Sequence, residues 1–462
     1  MFYISTVFCI FSYAFSLKVP LSSLANHFQF NSNNANLPTN DKIIEIAKFA
    51  TEKGGLTAPI QLGQSTMTVL IDTGSSNLWV PGNICRNNIM VLSDCGPGYD
   101  NSTSKPVDTS LIFNSTRFNK FTGIQYLRYG DQSIADGQLQ NDILTFGGQP
   151  TVYVNFEEVI KEYGVDEVGD PNPDMNTITQ AGGFNGIGIW GLGFPSNNAV
   201  GFNTVIETLF MKKAIPEYLF GISLGNPQDD DVNGQLSLGE IDNTKFTGEL
   251  IYTPVDPFPS SLAGRFNDEW RIKLSSFKVG DIDVTSILDT ENFDDRVLID
   301  SGNSNIKLPS AVYLQLQNIF GATMSVISNC SDNIIDNYPS LTLTFGNQDF
   351  TLPSTFFVKR NSVVTSSCRL LFTDGGSARP QRFTLGAPFL KKYYSVFDFA
   401  NKRIGLATAI NAGDAVVPAT TTSTTKKTST TSTTTQNEKS DSTLSQKLNL
   451  DILLFIFIAY LY

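Results

Sequence analysis

The sequence predicts a mostly β protein built as two similar lobes, and three observations carry that reading. The 462 residues include 34 Phe, 15 Tyr and 36 Gly, with many Thr and Val, a composition that favours strands and turns over helices. Short apolar runs such as Thr66-Met67-Thr68-Val69-Leu70-Ile71 and Leu341-Thr342-Leu343-Thr344-Phe345 are punctuated by turn residues, as at Asn233-Gly234 and Phe146-Gly147-Gly148. Finally, Val69-Leu70-Ile71-Asp72-Thr73-Gly74-Ser75-Ser76-Asn77 recurs later as Val297-Leu298-Ile299-Asp300-Ser301-Gly302-Asn303-Ser304-Asn305. Each copy is followed by a second echo, Ile189-Trp190-Gly191-Leu192-Gly193 and then Thr384-Leu385-Gly386. Helical periodicity is confined to Asn203 to Lys213 and Ser310 to Phe320.

The N-terminus opens on an apolar stretch over residues 4–16, which reads as a signal peptide spanning residues 1–16. It carries one of the five cysteines, Cys9, and its removal leaves Cys85, Cys95, Cys330 and Cys368. Four cysteines allow three connectivities. Pairing neighbours, Cys85 with Cys95 and Cys330 with Cys368, keeps each bond within one half of the chain and is preferred; four free thiols are the alternative for a chain that is not exported. Three Asn-X-Ser/Thr triplets, at Asn101, Asn114 and Asn329, fit the secretory route.

The C-terminus repeats that message. Residues 420–435 comprise 11 Thr, 3 Ser and 2 Lys, a solvated stalk that cannot bury a core. A polar spacer and an apolar end, Ile452 to Tyr462, follow. That end is short of the ~20 residues that span a bilayer. Small residues at Ser440, Asp441 and Ser442, the spacer and the apolar end together make a signal for a GPI anchor and hence for membrane attachment.

Charge and histidine content narrow the chemistry. The net charge of −12 argues against a nucleic-acid partner. The one histidine, His27, leaves no Ser-His-Asp or Cys-His machinery downstream of it and no His-rich zinc site. Carboxylates remain. An Asp at the end of a buried strand, followed by a hydroxyl residue and Gly, presents its carboxylate at a lobe edge. Two such carboxylates brought together share a proton, one ionised and one neutral. Such a pair can activate water and protonate an amide carbonyl with no metal or cofactor.

Asp72-Thr73-Gly74-Ser75-Ser76-Asn77-Leu78-Trp79-Val80-Pro81 resembles the first active-site signature of pepsin-like aspartic proteases, and Asp300-Ser301-Gly302 resembles the second. Tyr129-Gly130-Asp131 is similar to the flap tip. Leu385-Gly386, Phe389-Leu390, Tyr394 to Asp398 and Ile404 to Ala407 are similar to the closing strands. The resemblance runs from about Gly54 to Ala409. It implies the bilobal pepsin-like acid protease fold with the cleft between the lobes, a catalytic dyad of Asp72 and Asp300, bracing by Thr73, Ser301 and Ser75, and a flap in which Trp79 supports Tyr129. It also implies extended polypeptide substrates, a monomer, no cofactor and no metal. Residues 17–53 then become a pro-segment, 54–253 and 254–410 the two lobes, 411–441 the stalk and 442–462 a removed anchor signal. With the cysteines and the tail, the resemblance extends to the fungal yapsin- and candidapepsin-like branch, at the cell surface or wall. Gln132, Asn303, Ala387 and Ile187 depart from the family pattern. Gln132, Asn303 and Ala387, with the Thr-rich stalk, motivate the rival reading, a weak or inactive protease-fold glycoprotein with a binding or adhesion role.

Overall fold

The computed structural model describes residues 43–48, 56–86, 98–106, 108, 124–129, 134–146, 149–163, 187–195, 202–224, 233–256, 269–292, 294–330, 332–361, 366–376 and 383–410. The fold is predominantly β, as expected. A 13-stranded sheet starts at Ile124–Arg128 and runs through Ile134–Phe146, Gln149–Tyr163, Leu78–Arg86, Gly188–Gly191, Ser65–Asp72 and Leu56–Leu62 to Ile43–Lys48. It continues through Asn233–Leu238, Leu219–Ser223, Tyr393–Asp398 and Arg403–Ala409 to Phe246–Pro254. Strands from both ends of the chain are therefore stitched into one sheet that joins the lobes.

An 8-stranded sheet belongs to the second lobe. Its centre is Arg271–Val279, Arg296–Ile299, Phe383–Leu385 and Ile306–Leu308. A 4-stranded sheet carries Ser367–Leu370, and here Cys368 is disulfide-bonded to Cys330 as expected. Closing a loop of that size removes roughly 3–4 kcal/mol of chain entropy from the unfolded state. The side chain of Cys85, and all of Cys95, lie outside the described residues.

The echo in sequence is an echo in topology. In the first lobe Ser65–Asp72 runs parallel to Gly188–Gly191, which also pairs antiparallel with Leu78–Arg86. In the second lobe Arg296–Ile299 runs parallel to Phe383–Leu385, which also pairs antiparallel with Ile306–Leu308. In both, the strand entering from far along the chain wedges between two strands that are neighbours in sequence. The inward face of each of these strands is apolar, and Val69, Ile71, Val297 and Ile299 are all fully buried.

The strand Ile43–Lys48 falls inside the expected pro-segment, yet it pairs with Asn233–Leu238 and with Leu56–Leu62. The sheet thus begins ahead of the expected lobe start at residue 54. Its β-branched run, Ile43-Ile44-Glu45-Ile46, suits a strand. The two expected helices appear as Val205–Met211 and Ser310–Phe320, the first shortened at both ends.

The first of these helices holds a half-buried acid, Glu207, with one carboxylate oxygen shut off from solvent. Thr204 caps it by accepting the Glu207 N–H at 3.2 Å, and the Glu207 carboxylate accepts the Thr204 N–H in return. The other carboxylate oxygen and the Tyr218 hydroxyl nearby are buried without hydrogen-bond partners. Burial pushes Glu207 up to about 7. A carboxyl raised above its unfolded value near ~4.3 favours the fold at acid pH, and that contribution is lost as pH rises through the folded value. Thermal midpoints measured from pH 4 to 8 should therefore fall towards neutrality. Glu207→Gln, which keeps the cap and removes the titration, should flatten that fall.

Candidate active site

Strand Ser65–Asp72 alternates inward Met67, Val69 and Ile71 and ends on Asp72. Arg296–Ile299 delivers Asp300 in the same way. The Gly74 N–H donates to Asp72 Oδ1 at 2.8 Å and the Gly302 N–H to Asp300 Oδ1 at 2.9 Å, the same turn in both lobes. Each glycine also abuts the opposite carboxylate. A Cβ on Gly74 would lie 2.7 Å from Asp300 Oδ1, and one on Gly302 would collide with Asp72 Oδ1. Any side chain at either position would force the carboxyl groups apart. Asp72 and Asp300 are hydrogen-bonded to each other through their side chains.

Thr73 and Ser301 hold the two turns together, both nearly inaccessible to solvent. Thr73 N–H donates to Ser301 Oγ at 3.0 Å, and Ser301 N–H to Thr73 Oγ1 at 2.9 Å. Thr73 Oγ1 then donates to the Ile299 carbonyl at 2.8 Å and Ser301 Oγ to the Ile71 carbonyl at 2.7 Å. A hydroxyl can accept and donate at once, and both of these do.

The two acids are not equivalent. Burial raises Asp72, opposed by the Ser75 hydroxyl, which donates to Oδ2 at 2.5 Å, and by the Gly74 N–H. Burial raises Asp300 well above the usual carboxylate range, and the negative charge and hydrogen bond of Asp72 add to it; Gly302 and Lys307 oppose it more weakly. The surroundings of the two acids thus differ, with a hydroxyl donor on Asp72 and the Asp72 charge acting on Asp300. The residue matching Ser75 in the second lobe is Asn303, and its side-chain oxygen accepts from the Asn305 N–H at 3.0 Å. Ala387, another departure from the family pattern, starts the helix Ala387–Lys392 and donates its N–H to the Asn303 carbonyl. Half-buried Ile187 precedes the strand Gly188–Gly191.

Over the first lobe, the fully buried Trp79 donates its indole N–H to the Tyr129 hydroxyl, with the rings 6.4 Å apart. Tyr129 follows the strand Ile124–Arg128 of a hairpin with Ile134–Phe146, and packs on a cluster of Trp79, Leu127, Ala135, Val159, Ile189 and Phe202. Gly130, Asp131 and Gln132 lie outside the described residues, as do His27, Asn114, Ser440, Asp441 and Ser442. Lys307 and the main chain of Ile71 and Ile299 were not singled out from the sequence. Ile71 and Ile299 lie inside the echoed strings and Lys307 just past the second, but only the folded register shows their contacts.

Two carboxyl groups sharing one proton between like β lobes is the arrangement that defines aspartic-type peptidases. The chain belongs to the eukaryotic aspartyl protease family, whose family model matches residues 56–409, and it is an aspartic-type endopeptidase. Similar proteins include gastricsin of Cavia porcellus, 28% identical over 74% of this chain and 76% of that protein. Cathepsin D of Dictyostelium discoideum is 27% identical over 74% of this chain and 79% of its own length. Vacuolar protease A of Aspergillus fumigatus is 28% identical over 74% and 75%.

Because Ser75 lowers the pKa of Asp72, Ser75→Ala should raise the lower of the pair's two apparent pKa values. In a profile of kcat/KM against pH, the acid-side limb should move to higher pH while the thermal midpoint changes little.

Proposed function

We propose that this protein is an acid-active endopeptidase of the fungal cell surface in which Asp72 and Asp300 are the catalytic pair. One observation carries the assignment: the two carboxyl groups are hydrogen-bonded to each other inside the Thr73–Ser301 clamp. Ionised Asp72 takes a proton from water as the water oxygen bonds to the scissile carbonyl carbon. Protonated Asp300 gives its proton to the carbonyl oxygen, so the intermediate is neutral. Transfer of the proton on Asp72 to the amide nitrogen lets the C–N bond break, and a hydroxyl proton of the intermediate returns to Asp300. Water is the nucleophile throughout, so no acyl-enzyme forms.

The substrate in this reading is an extended polypeptide bound under the hairpin that carries Tyr129, with Gly130 and Asp131 at its tip. The Trp79–Tyr129 hydrogen bond supports that role by tying the hairpin to the lobe core. An acid optimum is supported by the burial that raises both carboxyls. Protein exposed to solvent at Asn101 and Asn329 supports their use as glycan acceptors, with Asn114 a third. The pro-segment in this reading spans residues 17–53, and its strand Ile43–Lys48 pairs into the sheet. The Thr-rich stalk, the apolar end and the paired cysteines support GPI attachment near Ser440 to Ser442 and the yapsin- or candidapepsin-like branch.

Purified protein freed of its pro-segment should cleave a peptide library at acid pH and be blocked by a statine-type inhibitor. Asp72→Asn and Asp300→Asn should each lower kcat by at least about 10²–10⁴-fold with the fold intact by circular dichroism. Full activity in either variant overturns the assignment. A phosphatidylinositol-specific phospholipase should release the protein from membranes of expressing cells; release unchanged from an untreated control would exclude the anchor.

A further inference from the structure

Trp270 belongs to the second lobe, is fully buried, and was not marked by any sequence motif. It immediately precedes the strand Arg271–Val279, which lies antiparallel to Arg296–Ile299 with Arg271 opposite Leu298. Its indole N–H crosses to the first lobe and donates to the Leu192 carbonyl at 2.9 Å. The Leu192 N–H in turn donates to the main-chain carbonyl of Asp72 at 2.7 Å. On its other side, the Trp270 carbonyl accepts the N–H of Ile299, the residue before Asp300, at 3.0 Å. The Ile299 carbonyl accepts the Thr73 hydroxyl at 2.8 Å. These bonds close a circuit: Asp72 to Leu192, Leu192 to Trp270, Trp270 to Ile299, Ile299 to Thr73, and Thr73 back to its neighbour Asp72.

We propose that Trp270 is a positioning residue that fixes how Asp72 faces Asp300, by tying the chain behind Asp72 to the second lobe in addition to the Thr73–Ser301 clamp and the shared sheet. The inference rests on Asp72 and Asp300 being the catalytic pair. The sheet and the clamp hold the lobes together, but neither ties the Leu192 loop, which bonds the Asp72 carbonyl, to the second lobe. The Trp270 bond fixes that loop against the strand leading to Asp300. The indole cannot turn away from its acceptor, because Phe194, Phe399 and Phe397 pack around it with ring centroids 4.2, 4.7 and 5.2 Å distant.

The strut has no counterpart at the matching position of the first lobe. Thr57 lies opposite Leu70 in the first lobe as Arg271 lies opposite Leu298 in the second, so the counterpart of Trp270 is Leu56. Leucine has no side-chain donor.

The test compares wild type, Trp270→Phe and the isosteric benzothienylalanine at 270, which keeps the bicyclic shape and replaces only the N–H. Active sites are counted by titration with a statine-type inhibitor, and kcat, KM, the pH profile and the thermal midpoint are measured. A small misplacement of reacting groups is costly, so kcat per titrated site should fall roughly 10- to 100-fold in both variants. KM should stay within about twofold, and the limbs of the pH profile should shift. If kcat per site and the pH limbs match wild type in the isostere, the proposal is overturned, whatever happens to the thermal midpoint. Asp72→Asn is run alongside. If it is inactive while both Trp270 variants behave as wild type, the Trp270 inference alone falls; if it is active, the catalytic pair and the inference fall together.

Discussion

Thr73 and Ser301 each place a hydroxyl across the junction between the lobes, and the four hydrogen bonds they make set the separation of Asp72 and Asp300. No other residue types would serve. Each hydroxyl must accept an N–H from the opposite turn and donate to a carbonyl of the opposite strand, in a space closed to water. Valine or alanine there would leave buried main-chain groups unpaired, at roughly 1–3 kcal/mol each. The neighbouring glycines follow from the same constraint. With the turns held this close, only hydrogen fits between each of them and the facing carboxylate. The parallel strands behind the turns supply the stiffness that makes such tight spacing durable.

The clamp creates an electrostatic cost that acid surroundings relieve. It buries two carboxyl groups against each other, and burial raises both. The same direction recurs elsewhere in the first lobe. Glu207 and Glu158 are both raised by burial, although Gln140 donates to Glu158 at 2.6 Å. At neutral pH these groups must ionise in places that solvate charge poorly, or keep protons that solution no longer favours. The net charge of −12 adds general repulsion as pH rises. The features that prepare the site therefore also tie the stability of the fold to acid conditions.

Much of this was legible in the sequence because it is local. The strings around Asp72 and Asp300 are contiguous, so the strand, the turn, the hydroxyl and the glycine can be read side by side. The β class follows from composition and punctuation. What escaped depends on register between distant segments. Nothing around Trp270 says that its indole will find a carbonyl at Leu192. Nothing in Asn303 says that its amide will turn to Asn305. The isoleucines of Ile43–Lys48 read as a strand, but its partner at Asn233–Leu238 lies far along the chain.

Two chemically identical acids can divide the roles of acid and base only if their surroundings differ. Lobes with the same topology would by themselves make them alike. Within the strings that carry the pair, the sequence differs at two positions, Thr73 against Ser301 and Ser75 against Asn303. Ser75 against Asn303 gives Asp72 a hydroxyl donor that Asp300 does not receive from its own loop. Lys307 works against this difference, but from a distance and weakly. Trp270 against Leu56 adds a mechanical difference, by anchoring the chain behind Asp72 to the opposite lobe. Asp72 has the additional hydroxyl donor, and that difference favours its ionised form over that of Asp300. Thus the shared architecture brings the acids together, and the departures from it make them different.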